Sequence, residues 1–460
     1  MSVKSKFIGN RAFYGRLFTI MIPVLIQNII TSFVSLLDNV MVGQVGTEPM
    51  SGVAIVNQLI FVFNLSIFGG LSGAGIFTAQ FFGKSDPEGI RSTIRMKHYI
   101  GISAVVIATA VLLLYGEELI GLFIHQGKES LDLQMTLSHG MGYMRVMLFS
   151  LLPFAVMQVY ASTLRECGET MLPMKASVIA VFANLIGNYI LIFGKFGAPE
   201  MGVVGAAIST VFARWLECLI VVVWTHRHTR EHSYAKGIYS TLKIPKKLVI
   251  QMLITGSPLL LNELLWSSGK TFLNQCYSIR GLEVVSALNI ATTISQLFFC
   301  AFFAMGNTIA VMVGQLLGAG ELDRAVEEDR QLLFFSVVLS AAIGVFMAIL
   351  APYIPRLYNT TDVVKEIATK LILIHSVMLP LHAFVHGSYF PLRSGGKTVI
   401  TFFFDCGFMW AFSVLAAFIL SRFTGLDIIA MFAIVEALEL IKALFGVYLL
   451  KKKSWVNRLV

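Results

Sequence analysis

Two acidic side chains lie inside long apolar stretches of this sequence, where a charge is energetically unfavourable. Asp38 is the only ionisable residue between Arg16 and Glu48, and Glu263 lies in the apolar stretch Leu-Leu-Leu-Asn-Glu-Leu-Leu-Trp. A carboxylate at the centre of a membrane costs roughly 2.5–3.5 kcal/mol, so such a group faces a bundle interior or a watery cavity rather than lipid. We therefore predict that both acids bind an ion or a substrate. The alternative is a structural acid that is hydrogen-bonded to the backbone or to an asparagine.

Two asparagines form a second candidate site. Asn184 and Asn188 lie one helical turn apart in the stretch Asn-Leu-Ile-Gly-Asn-Tyr-Ile-Leu-Ile-Phe-Gly, and therefore on one face of a helix. Buried amides need hydrogen-bond partners. In one interpretation the amides share an ion-coupling pocket with Asp38, by hydrogen bonding to the acid or by supplying oxygens to Na⁺. In the other they join neighbouring helices through polar contacts.

One lysine lies close to these acids along the chain. Lys270 follows Glu263 by two helical turns and shares its helix face. Its ammonium group either pairs with Glu263 or Asp38 or extends outward to the membrane surface. A lysine in the substrate cavity would favour anionic or zwitterionic substrates.

Three histidines share one face of another apolar segment, with Pro380 between them. His375, His382 and His386 either relay protons, because a histidine titrates near neutral pH, or hydrogen-bond to neighbouring helices. We expect His382 and His386 to line the substrate cavity. We do not expect a metal site, because no cysteine or carboxylate accompanies the histidines in the sequence.

Composition places the chain in a membrane. The 460 residues are 56% hydrophobic and only 13% charged, with a mean hydropathy of +0.78, whereas soluble domains carry about 25% charged residues. The ~10-residue alternating segments of a β-barrel are absent. The first apolar stretch is too long for a cleavable signal peptide. The five cysteines are scattered and form neither a disulfide framework nor a metal-ligand spacing. No cofactor is expected beyond a coupling ion, H⁺ or Na⁺ or both.

The fold class is predicted to be an all-α integral membrane protein with twelve transmembrane helices. Each apolar segment is long enough to cross ~30 Å of hydrocarbon. Lysine and arginine are concentrated at both termini and in the loops after each even-numbered span, which places both termini in the cytoplasm of a multi-pass protein of the cell (inner) membrane. The predicted spans are 14–43, 50–82, 95–115, 136–163, 172–194, 201–225, 248–276, 284–317, 331–351, 366–390, 398–420 and 426–450.

An internal repeat organises these helices. At one constant spacing, Pro23 aligns with Pro258, Gly46 with Gly281, Gln80 with Gln315 and Gly83 with Gly318. The repeat predicts an N-lobe at 1–225 with helices 1–6, a basic cytoplasmic linker at 226–247 and a C-lobe at 248–460 with helices 7–12. Six helices is an even number, so the repeat is parallel, and the substrate path should lie between halves that rock against each other.

The motifs together resemble the multidrug and toxic compound extrusion (MATE) family, most closely its bacterial NorM-like and DinF-like branches. The resemblance covers nearly the whole chain. It implies a V-shaped antiporter of two lobes that expels bulky, often cationic or amphipathic drugs and toxins in exchange for H⁺ or Na⁺. The carrying motifs are Leu37-Asp-Asn-Val-Met-Val-Gly43, Ala79-Gln-Phe-Phe-Gly-Lys84, Leu164-Arg-Glu-Cys-Gly-Glu-Thr170, Asn184 to Gly194 and Gly202-Val-Val-Gly-Ala-Ala207.

The resemblance also assigns roles and reveals one departure. Asp38 matches the coupling acid of the N-lobe, and Glu263 matches an acid of the C-lobe cation site. His382 stands where the NorM-like branch has a second acid of that site. The C-lobe site therefore lacks one carboxylate for Na⁺, and a histidine there either relays protons instead or hydrogen-bonds to neighbouring helices.

Other functions remain as alternatives. A lipid-linked oligosaccharide or lipid flippase of the same superfamily would line its cavity with several cationic residues, of which only Lys270 is a candidate here. An intramembrane enzyme would need a nucleophile–base pair or metal ligands, and no such cluster appears at a recognisable spacing. A primary ATP-driven pump would need a P-loop, which the sequence lacks. We expect a monomer that contacts membrane lipids and small molecules. The net charge of +9 follows from topology and anionic lipid headgroups, so no nucleic-acid partner is needed.

Overall fold

The protein is described here by a computed structural model for residues 7–124 and 133–460. Every regular element within these ranges is helical, which confirms the predicted all-α fold class. The helices are α1 (Arg11–Gly43), α2 (Thr47–Gly83), α3 (Pro87–Ile124), α4 (Leu133–Glu166), α5 (Met171–Ile192), α6 (Gly202–Arg227), α7 (Lys246–Ser278), α8 (Leu282–Ala319), α9 (Leu322–Leu350), α10 (Asp362–Ser394), α11 (Thr398–Phe423), α12 (Ile428–Ala437) and α13 (Glu439–Lys452).

Eleven of these helices, α1 to α11, are long and apolar enough to cross a membrane. The predicted twelfth span at 426–450 is instead divided into α12 and α13. The backbone N–H of Leu438 donates to the carbonyl of Val435 at 3.2 Å, a tighter turn than that of an α-helix, and this turn separates the two segments.

The third span extends well beyond its predicted bounds of 95–115. The helix begins at Pro87, so Glu88 and Arg91, which precede the predicted span, lie in its first turns. Lys97, inside the predicted span, is fully buried, and its ammonium group pairs with Glu166 and donates to hydroxyls of α4. The predicted span was too short because it followed the apolar residues, whereas the charged start of the helix is stabilised by the pairing of Arg91 and Arg95 with Glu88.

The chain forms two compact units. The first comprises the residues up to Leu25, Ala79–Asp86 and Ile254–Val460, and the second comprises Ile26–Thr78 and Pro87–Leu253. In the first unit α10 packs against both α8 and α9; in the second α6 packs against both α4 and α5. The predicted boundaries of the N-lobe, linker and C-lobe remain a prediction.

The segment between α6 and α7 packs on α3 within the second unit. Arg95, which is 3% exposed, donates from Nε to the carbonyl of Ile238 at 2.8 Å and pairs with Glu88 at 2.9 Å. Arg91 donates to the carbonyls of Ser233 and Tyr234. Backbone carbonyls of an irregular segment need donors, and these two arginines supply them.

Candidate functional site

Asp38 lies in a pocket formed by α1 and α5 within the second unit. The amide nitrogen of Asn188 donates to Asp38 Oδ1 at 2.8 Å. The amide of Asn184 forms hydrogen bonds with all its polar neighbours when its nitrogen faces Asp38. In this orientation the nitrogen donates to Oδ2 at 3.0 Å and to Oδ1 at 3.1 Å. Both asparagines are buried, whereas Asp38 is half-buried. The three predicted residues therefore meet, and two neutral donors face one carboxylate.

The position of the two asparagines depends on the close packing of α5 against α6. A Cβ on Gly187 would lie 2.3 Å from the hydroxyl oxygen of Ser209, so only glycine allows the helices to approach this closely. Ser209 donates to the backbone carbonyl of Asn184 at 2.7 Å. The side-chain oxygen of Asn184 accepts from the backbone N–H and the hydroxyl of Thr210, at 3.2 and 3.1 Å. The amide nitrogen of Asn184 is thus fixed toward the acid.

One oxygen of this pocket remains without a partner. Asn188 is 2% exposed, and its Oδ1 has no hydrogen-bond partner among the described residues. A buried acceptor without a donor is unfavourable by roughly 1–3 kcal/mol. The Asp38 pocket can therefore accept a proton on the carboxylate, or a small cation on carboxylate and amide oxygens.

The second unit also contains an ion pair that our sequence analysis missed. Arg214 Nη1 lies 3.2 Å from Glu217 Oε2 on α6, and the guanidinium lies 5.0 Å from the ring centre of Phe154. Both charges occur inside the predicted sixth span, so the same criterion that selected Asp38 would have found them. Glu217 is 3% exposed, and its pairing with Arg214 compensates its buried charge.

In the first unit, a polar network joins α7, α11 and α13 beside Glu263. Asn262 donates from Nδ2 to Asp405 Oδ2 at 3.0 Å, and its Oδ1 accepts from the backbone N–H of Cys406 at 3.3 Å. Lys442 Nζ lies 2.9 Å from Asp405 Oδ1 and 3.8 Å from Glu439 Oε1. Glu263 itself is half-buried and forms no hydrogen bond or ion pair with another described residue. Glu263 thus directly follows Asn262, a member of the network, but does not itself take part in the network.

The backbone of α11 is unusual where it carries Asp405. Residues Phe403–Gly407 and Met409–Val414 adopt π-helical turns. Such turns add a residue to a helix and often occur at functional sites. They change which side chains face α7 and α13, so the helical periodicity of the sequence does not reveal Asp405 as a partner of Asn262.

The histidine face of α10 meets a carboxylate from α12. His382 Nε2 lies 2.9 Å from Glu436 Oε2, and His375 Nε2 lies 4.0 Å from Glu436 Oε1. The other ring nitrogen of His375 is 2.6 Å from the hydroxyl of Ser295. No carboxylate accompanies these histidines in the sequence, but α12 supplies one in three dimensions. Among the described residues, however, no group of three or more metal-ligating side chains could hold a metal ion.

The remaining predicted cavity residues have mainly aromatic neighbours. His386 makes edge contacts with the rings of Phe302, Phe303 and Phe390. Lys270 is exposed, and its ammonium lies 5.6 Å from the ring centre of Trp266. It forms no ion pair with Glu263 in the described residues. Whether the ammonium lies in the substrate cavity or at the membrane surface stays a prediction.

The long apolar helices with paired charges in their interior define a polytopic helical membrane protein. The MatE family model matches residues 23–190 and 258–419. The chain belongs to this family, which confirms the predicted resemblance, and it is accordingly a transporter rather than an enzyme.

Curated relatives and solved structures are similar over nearly the whole chain. "Probable multidrug resistance protein NorM" of Thermotoga maritima is 24% identical over 411 residues, covering 89% of this chain and 86% of the relative. "Probable multidrug resistance protein YoeA" of Bacillus subtilis is 22% identical over 457 residues, covering 96% and 94%. A point mutant of the Vibrio cholerae MATE transporter VcmN superposes with a TM-score of 0.84 at 20% identity, covering 96% and 97%. That last similarity shows the shared fold.

Proposed function

We propose that this protein exports multiple cationic or amphipathic organic compounds across the cell membrane in exchange for H⁺, Na⁺ or both. The observation that carries the proposal is the Asp38 pocket. Two buried amides donate to one carboxylate in a largely apolar helix, and a buried amide oxygen beside it has no partner among the described residues. Relatives named as multidrug resistance proteins, which align over most of their length, support the substrate class.

The proposed role of Asp38 is to bind the coupling ion. With its carboxylate charged, the amide nitrogens of Asn184 and Asn188 stabilise it through charge-assisted hydrogen bonds. When a proton or a Na⁺ neutralises it, the attraction for a cationic substrate is lost and the packing of α1 against α5 changes. An ion drives transport only through its different affinity for the two states of the carrier. The ion therefore favours the outward-open state, from which substrate leaves.

The first unit contains further groups whose charge could change during transport. Glu263 has no partner among the described residues, and the Glu436–His382 pair lies on neighbouring helices. We propose that Glu263 binds substrate or ion, and that the histidine pair binds a proton in place of the acid expected on α10. The two acids, which lie in different surroundings, would then have different roles. Asp38 would bind the coupling ion, and Glu263 would bind the substrate or a second ion.

The test is efflux of ethidium from proteoliposomes under separately imposed H⁺ and Na⁺ gradients. Asp38→Asn should abolish coupled efflux while the protein is produced normally. Glu263→Gln should weaken it, and Glu118→Gln, which alters an exposed acid of α3, should leave it unchanged. The gradient that drives wild-type efflux identifies the ion.

Two outcomes would contradict the proposal. Undiminished efflux by Asp38→Asn would remove Asp38 from coupling. No efflux of any organic cation by the wild type under either gradient would instead favour the lipid or lipid-linked oligosaccharide flippase.

A further inference from the structure

The ammonium group of Lys442 lies in a built cation site. Asp405 Oδ1 is 2.9 Å from Nζ, and the ring centres of Phe404 and Phe408 are 5.6 and 5.9 Å from it. A carboxylate together with aromatic faces is the arrangement that binds ammonium groups, including quaternary ones, in proteins. Here that position is filled by a side chain of the protein itself.

The carboxylate is held rigidly, whereas the lysine has a second acid within reach. Asn262 binds the other oxygen of Asp405 at 3.0 Å, and the π-helical turn of Phe403–Gly407 positions Asp405 toward it. Lys442 is already 3.8 Å from Glu439, one turn earlier on the same helix. Its flexible stem allows the ammonium to move from Asp405 to Glu439 without crossing lipid.

The exposures of the three side chains differ in the way that such an exchange requires. The side chain of Lys442 is 8% exposed, whereas those of Asp405 and Glu439 are each 22% exposed. Both acids are thus partly exposed, whereas the lysine is nearly buried. An incoming cation can approach Asp405 while Lys442 is still bound.

We propose that Lys442 is a tethered competitor for the organic ammonium or related monovalent cation that this protein binds. The substrate cation takes the place of Nζ between Asp405 and the two phenylalanines, and Lys442 shifts to Glu439. The net charge around Asp405 then stays constant, so no carboxylate is left buried and unpaired. Lys442 is in this sense a specificity-determining residue that rejects weakly bound cations. The inference rests on the proposed function for its substrate class.

The experiment measures equilibrium binding of ethidium to the purified full-length protein in nanodiscs, without an ion gradient. Lys442→Met removes the competitor and leaves Asp405 unpaired, so the ethidium Kd should fall about tenfold or more. Lys442→Arg, which keeps the charge, should not show this gain. Lys451→Met is the matched control, because it removes an exposed lysine of the same helix, and its Kd should equal that of the wild type.

Two further variants test the exchange itself. Glu439→Gln removes the acid that receives the displaced lysine, so ethidium should bind several-fold more weakly. In Lys442→Met, the additional Glu439→Gln substitution should have no further effect, since no lysine needs that acid. The double variant Asp405→Asn with Lys442→Met has no charge in the pair and should lose the gained affinity.

The proposal is overturned if Lys442→Met binds ethidium like the wild type, if Lys451→Met gives the same gain, or if Glu439→Gln leaves the Kd unchanged. Because binding is measured without an ion gradient, its result does not depend on whether the protein performs coupled transport. A wild type that binds ethidium in this way but does not export it would contradict the proposed function alone.

Discussion

Gly83 and Gln315 are in backbone contact at the ends of α2 and α8: a Cβ on Gly83 would lie 1.9 Å from the carbonyl oxygen of Gln315. The repeat-related pair makes the same contact, because a Cβ on Gly318 would lie 1.9 Å from the carbonyl oxygen of Gln80. Both contacts lie within the first unit. The Gln-x-x-Gly sequence that recurs in both halves thus brings two helix ends together reciprocally.

We expect Gly83→Ala and Gly318→Ala to destabilise the protein. In each case the atom that must move belongs to the backbone, and overpacking of this kind costs typically 1–3 kcal/mol or more. Thermal unfolding followed by fluorescence-detected size exclusion measures the loss. Gly15→Ala is the control, since a Cβ there meets nothing within 4 Å, and a helical glycine replaced by alanine should leave stability equal or higher. If both test variants had the same melting temperature as the wild type, the two helix ends would be able to move apart at little energetic cost, which would contradict the prediction.

Gln80 connects the same region to the C-terminal tail. Its side chain is fully buried, donates to the carbonyls of Ser394 at 2.8 Å and Asn457 at 3.3 Å, and accepts from the backbone N–H of Leu459 at 2.7 Å. Trp455 of the same tail is 1% exposed, and its backbone carbonyl lies against Gly395.

Gln80→Leu should therefore lower stability by about 1–3 kcal/mol, because buried backbone groups lose their partners. It should also make the tail accessible to carboxypeptidase. Gln251→Leu, at an exposed position of α7, serves as the control for both measurements. Full protection of the tail in Gln80→Leu would contradict a role for Gln80 in holding it.

The helices and the Asp38 pocket could be predicted from the sequence, because hydropathy and one-turn spacing are local properties. Asn184 and Asn188 share a helix face wherever that helix packs, so a common pocket was a natural expectation. The closeness of Asp38 to that face came from the family motifs rather than from spacing.

The network around Asp405 could not be predicted in the same way. Asp405, Glu436 and Lys442 all lie inside predicted spans, but their partners come from other helices, and π-helical turns break the regular spacing of α11. The pairing of Lys97 with Glu166 could not be predicted for the same reason, because the partner lies on a different helix.

Arg95 should control the position of the segment between α6 and α7. It is buried and binds the Ile238 carbonyl and Glu88 at the same time. Arg95→Gln should therefore increase hydrogen exchange and tryptic cleavage at Lys236 and Lys243, which are exposed, several-fold. Arg227→Gln changes an exposed arginine at the end of α6 and should not. Equal cleavage in both variants would mean that the segment is held by other contacts.

Glu436 should be necessary for transport if it replaces the acid missing from α10. The carboxylate lies 2.9 Å from His382, so Glu436→Gln removes the charge that this histidine faces. We expect at least about tenfold slower ethidium efflux, because a charged hydrogen-bonding partner contributes roughly 1.5–3 kcal/mol. Combining Glu436→Gln with His382→Asp moves the carboxylate onto α10 and should restore part of the rate. The control is Glu366→Gln, an acid at the start of α10 that pairs only with Lys370 at an exposed position. If Glu436→Gln transports normally, or if the double variant is slower than the single one, the carboxylate beside His382 has no role that a residue on α10 could take over.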